Sequence, residues 1–211
     1  MAVGLAILGA LFGFVADRVA ARWPVQEDGR VRPLDWRTPI VVLVGAGGLA
    51  ALAGRFDDPF QLALFGGYFL ALTLLLATDL DQRLLPDVVT LPLIPAVLVV
   101  DLVGLNPLLA GGLSFGLLGA LVAAAAFPLA LALLAIPFGA GAIGMGDLKL
   151  LVSFGLLAGL GRAFTGVVSG AILSAVVIVV LLALRRITLK SYIPFGPFLI
   201  LGAMWGVLAP N

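Results

Sequence analysis

Two acidic residues sit where a chain of hydrocarbon has little use for acid. Asp79 ends the apolar run Leu-Leu-Leu-Ala-Thr, and Asp147 follows Gly144-Met-Gly146 and opens another apolar run. An ionisable group at the edge of a membrane span is costly to place there, and so marks a functional site. Two carboxylates can divide acid–base work. One, ionised, takes a proton from water while the other, protonated, gives one to a carbonyl oxygen. Asp79 is expected near a helix C-terminus, where the dipole disfavours negative charge. Asp147 is expected near an N-terminus, where the dipole and free N–H groups favour it. Asp147 is therefore the expected base and Asp79 the expected acid, with the reverse open because coupled carboxylates share their titration. The chemistry is that of an aspartyl protease working at a membrane.

Other residues could assist. Gly144 and Gly146 leave the backbone room to approach a substrate and allow positive φ. Lys149 either screens Asp147 or snorkels to lipid headgroups, and snorkelling is favoured. Asp81, one turn-mate of Asp79, is expected to be solvated, and Asp87, after Pro86, reads as a helix cap. Asp17, Glu27, Asp28, Asp35, Asp57 and Asp58 read as loop charges, and Asp101 as a residue at the far aqueous interface. The stretch Ile193-Pro194-Phe-Gly196-Pro-Phe198 opens the last apolar run. Its prolines break regular helix. It either offers backbone partners to an extended substrate or is an interfacial turn.

The elements that must position these groups follow from composition. Of the 211 residues, 63% are hydrophobic and 11% charged, with mean hydropathy +1.24; soluble domains carry roughly 25% charge. The chain is expected to be all-α and polytopic, a single membrane domain over 1–211. A net charge of +1 with no basic face gives no reason to expect nucleic acid. Cysteine and histidine are both absent, which removes disulfides, Cys or His nucleophiles and bases, and zinc ribbons. The start, Met-Ala-Val-Gly-Leu, has no basic region and fits a retained first span better than a cleaved signal.

A span needs about 20 apolar residues. Eight are expected: 2–17, 38–54, 59–78, 88–105, 110–137, 147–161, 163–184 and 193–209, the sixth short and the fifth long. Lys and Arg favour the cytoplasmic side. With both termini outside, Arg18, Arg22, Arg30, Arg32, Arg37, Arg83, Lys149, Arg185, Arg186 and Lys190 fall inside, and only Arg55 and Arg162 of the 12 basic residues fall outside. Both acidic motifs then face the cytoplasm. Trp23 and Trp36 are expected as interfacial anchors. The glycines and alanines of the fifth and seventh spans, among them Gly111, Gly166 and Gly170, are expected to let helices pack closely in lipid.

Asp79-Leu-Asp81-Gln-Arg-Leu-Leu-Pro-Asp87, followed by Val-Val-Thr-Leu-Pro-Leu, resembles the first aspartate motif of the bacterial type IV prepilin peptidases. Gly144-Met-Gly146-Asp147-Leu-Lys149 resembles their second, the GxGD motif, and Ile193-Pro194-Phe-Gly196-Pro-Phe-Leu their last-helix signature. The resemblance covers most of 60–211, the expected catalytic core. It implies that Asp79 and Asp147 are the catalytic pair. It implies a type IV prepilin or pseudopilin as substrate, serving a pilus or a type II secretion system, cut after a glycine at the inner-membrane surface. Many members also N-methylate the new terminus with S-adenosylmethionine. The family's bifunctional members carry a larger first loop with two Cys pairs that bind zinc. Here that loop is 17–37 and has no cysteine, so zinc is not expected and methylation is left open. Proteolysis itself needs no cofactor. Two other readings compete: a preflagellin- or presenilin-like GxGD protease, and a carboxylate-based ion-coupled transporter. The absence of an internal repeat and the placement of both motifs at span ends count against a transporter.

Overall fold

The computed structural model describes residues 1–23, 31–109, 112–139, 143–188 and 194–209. Glu27, Asp28, Arg30, Gly111, Lys190 and Ile193 lie outside the described residues. The protein is all-helical: α1 (Ala2–Ala20), α2 (Arg37–Arg55), α3 (Pro59–Gln82), α4 (Asp87–Leu102), α5 (Gly112–Ala135) running into a 3-10 turn (Ile136–Phe138), α6 (Met145–Ala183) and α7 (Gly196–Leu208). Five of these, α1, α2, α3, α5 and α6, are long and apolar enough to cross a membrane; α4 and α7, with 16 and 13 residues, are shorter. The protein is a multi-pass membrane protein.

The expected sixth and seventh spans are one helical assignment rather than two helices. Yet α6 is not straight. Gly159 has φ 66 and ψ 179, a conformation essentially restricted to glycine. A straight helix would separate residues 154 and 166 by about 18 Å, at 1.5 Å per residue. Instead the ring tip of Phe154 stands 2.6 Å from where a Cβ on Gly166 would lie. The two arms of α6 therefore fold back on each other, and the reversal falls at Gly159, not at the expected Arg162.

The buried apolar core runs through the centre of the bundle, with Phe65, Phe69, Leu72, Leu75 and Leu76 of α3 meeting Leu150, Phe154 and Leu157 of α6 and Leu199 and Ile200 of α7. Small residues make the close contacts. A Cβ on Gly9 would run into the backbone of Gly45, and one on Gly202 into that of Gly166. Gly155 likewise abuts the backbone of Ala123 and Ala124. This is the packing that lipid favours, since apolar side chains gain nothing there by leaving water.

The turn at 55–58 closes as its sequence dictates. Asp58 caps α3 by accepting from the Gln61 N–H at 2.9 Å, and Pro59 takes the first helical position, where its missing N–H costs nothing. Within α4, Pro92 and Pro95 are carried inside the helix. The far end of the bundle is held by buried polar groups. Asp101 is fully buried, not interfacial as expected, and accepts from Asn106 Nδ2 at 2.8 Å. Arg162 is buried as well and donates to the carbonyls of Gly206, Val207 and Ala209 at the end of α7.

Candidate active site

One helix end and three helix starts build the site. α3 stops because Arg83 turns left-handed, φ 55, and donates its N–H to the Asp79 carbonyl at 2.9 Å. That closes the last turn over Asp79, which is 5% exposed. Leu84 and Leu85 lead to Pro86, the extended N-cap of α4. Gly144, extended at φ −70 and ψ 139, is the N-cap of α6. Its carbonyl accepts from the Asp147 N–H at 3.1 Å, which sets Asp147 in the first turn. α7 starts at Gly196, against the Asp79 side chain.

These parts converge on a cavity of about 290 Å3. Asp79 and Asp147 both line it, together with Arg83, Leu84, Leu85, Pro86, Asp87, Gly144, Met145, Gly146 and Lys149. Asp79 Oδ2 and Asp147 Oδ1 are buried and have no hydrogen-bond partner among the described residues. Leaving a buried carboxyl oxygen unpaired is expensive, so such an atom calls for an explanation. A water molecule or a peptide oxygen brought into the cavity would supply one.

Glycine is required at two points around the acids. A Cβ on Gly196 would stand 2.6 Å from Asp79 Oδ2 and 2.8 Å from its Cγ. One on Gly146 would stand 2.6 Å from the Leu85 Cβ, so the start of α6 packs directly on the turn after α3. Gly144 is less confined: its Cβ would lie 3.2 Å from Asp147 Oδ2.

Several expectations change. Asp81 is not solvated. Its side chain is 1% exposed and pairs with Arg32 Nε at 2.6 Å and Arg37 Nη1 at 2.8 Å. Asp17 is not a loop charge either. It is fully buried, and accepts from Arg32 Nη2 at 2.5 Å, Thr38 Oγ1 at 2.8 Å and Arg18. Lys149 donates to Asp87 at 2.6 Å across the cavity rim instead of snorkelling, and Pro86, not Asp87, holds the cap position of α4. Gly196 is already helical, so only Pro194 and Phe195 of the proline-rich stretch are non-helical among the described residues. Pro194 is not part of the cavity lining.

Sequence reasoning missed the cluster of Arg32, Arg37, Asp17 and Asp81. Burial alone would lower the pKa of the Arg32 guanidinium. Asp17, with Asp81 and Asp35, outweighs it and holds that pKa above its ordinary value. The only signal in the chain was alternating charge in the first loop, which does not reveal a partner on α3.

Comparison with known proteins gives a consistent result. Residues 67–184 match the model of the type IV leader peptidase family. Two curated relatives, both named prepilin leader peptidase/N-methyltransferase, come from Burkholderia pseudomallei strains 1026b and K96243. Each is 34% identical over 171 residues, which is 81% of this chain and 54% of the relative. The chain thus spans about half the length of the curated relatives it matches. No solved structure matches it.

Proposed function

The chain belongs to the type IV leader peptidase family, and from that premise we propose that it is an intramembrane aspartyl endopeptidase. It cuts the leader from type IV prepilins or pseudopilins at the cytoplasmic face of the bacterial inner membrane. One observation carries the reading: carboxylates from two different helices line a single cavity, each with a buried oxygen that has no partner among the described residues. Asp147, in the first turn of α6, takes a proton from water. The hydroxyl attacks the scissile carbonyl carbon as Asp79 gives its proton to the carbonyl oxygen. Collapse of that intermediate returns a proton to the departing amine.

The orientation is supported by the basic residues. Arg18, Arg32, Arg37, Arg83 and Lys149 gather at the carboxylate end of the bundle through the contacts described above, and Lys and Arg favour the cytoplasm. A site at a bundle end beside a turn suits hydrolysis of a peptide at the membrane surface. An ion relay would place its acids near the midplane.

The curated relatives are named methyltransferases too. Among the described residues, no aromatic side chain lines the carboxylate cavity to stack on an adenine.

The test is cleavage of a prepilin by membranes carrying Asp79→Asn or Asp147→Asn. Both variants are expected to lose activity by at least about a hundredfold, the scale of general acid–base catalysis, while Asp87→Asn keeps most of it. Full activity in either of the first two would overturn the assignment. Weighing the product by mass spectrometry, with and without S-adenosylmethionine, is expected to show the cleaved terminus in both arms.

A further inference from the structure

The last turn of α3 carries Asp79, and the last turn of a helix is where helical structure frays. Here that turn is tied down from outside. Asp81 accepts a hydrogen bond from Arg37 Nη1 at 2.8 Å and forms an ion pair with Arg32, whose Nε lies 2.6 Å away. Gln82 Nε2 donates to the Ala20 carbonyl at the end of α1, at 3.2 Å. Arg32 is the centre of the arrangement, because the same guanidinium reaches Asp17 at 2.5 Å and Asp35 at 2.5 Å. Asp17 in turn accepts from Thr38 at the start of α2. Arg32 and Arg37, just before and at the start of α2, are thus tied to the end of α3.

Buried ion clusters are a poor route to stability, since apolar residues of like volume often serve as well or better. A negative charge at a helix C-terminus is itself unfavourable. This one lies two residues beyond Asp79 and forms no part of the cavity lining. On the proposed function above, we infer that Asp81 and Arg32 are positioning residues: through their ion pair the end of α1 and the start of α2 fix the last turn of α3, and with it the Asp79 carboxylate opposite Asp147. Neither residue touches substrate. They act by holding one reacting group in place, where a displacement of about 1 Å is enough to lower turnover up to a hundredfold.

The experiment measures kcat, KM and thermal midpoint for prepilin cleavage by the full-length protein in liposomes. Its variants are Arg32→Gln, Asp81→Asn, the two combined, and the apolar pair Arg32→Met with Asp81→Leu. Asp79→Asn serves as control. Each single variant is expected to lose about tenfold in kcat, with KM within about twofold, since the substrate's own contacts are untouched. The double variant is expected to lose no more than the worse single, because both act on one link. The apolar pair also strips buried Asp17 of Arg32, so its thermal midpoint is expected to fall; a loss of kcat at unchanged KM, measured well below that midpoint, is the outcome that a purely structural role would not give. If Arg32→Gln does not fold, Arg37→Gln removes the more exposed of the two arginines on Asp81 and is expected to lose about threefold in kcat. Unchanged kcat in the folded variants, or losses that simply multiply, would overturn the inference while a dead Asp79→Asn left the protease reading intact. An active Asp79→Asn would overturn both.

Discussion

A methyl group on Gly196 would stand 2.6 Å from Asp79 Oδ2, closer than carbon and oxygen tolerate. Either the carboxyl or the start of α7 must shift. Gly196→Ala is therefore expected to lower kcat about tenfold or more, the scale of a misplaced catalytic group. Gly47→Ala, at a position with nothing within 4 Å, is expected to leave it unchanged; parallel rate measurements check the pair. At this scale Asp79 and Asp147 were legible, because acids at the ends of apolar runs announce themselves by their cost. Asp81 was misread by the same logic. Its charge looked affordable in water, and nothing near it in the chain named Arg32 and Arg37 as its partners.

Between Ala158 and Leu160 the chain reverses through a backbone conformation that only glycine adopts freely. Gly159→Ala is expected to destabilise the protein by about 1–3 kcal/mol, read as a lowered thermal midpoint in detergent. Arg162 acts on the next element. It donates to three carbonyls at the end of α7, so Arg162→Leu is expected to cost about 2–3 kcal/mol by the same measurement. Most helix boundaries could be read from the chain to within a few residues, although Asp58, read as a loop charge, is the N-cap of α3. The boundary inside α6 was placed at the charge, Arg162, because a charge in an apolar run reads as a loop. The structure uses the glycine three residues earlier and buries the arginine against another helix.

The whole molecule brings Asp79 and Asp147 to one end of the bundle, and the turn at 55–58 precedes the opposite end of α3. The chain has no cysteine, so single introduced cysteines report without background. Leu84→Cys, exposed beside the cavity, is expected to react with a membrane-impermeant maleimide from the cytoplasmic side. Asp57→Cys, exposed in the turn before α3, is expected to react from the opposite side. Labelling in the reverse sense would invert the orientation and remove cytosolic leader peptides from reach of the site.

Hydropathy, charge and turn chemistry are local properties, so the sequence by itself determined membrane residence, helical class, the two acids and the glycines beside them. Contacts between residues far apart in the chain depend on how helices pack, and only the tertiary structure decided those. It brought α7 against Asp79, joined two distant acids in one cavity, folded α6 at Gly159, and paired the apparently solvated Asp17 and Asp81 with Arg32.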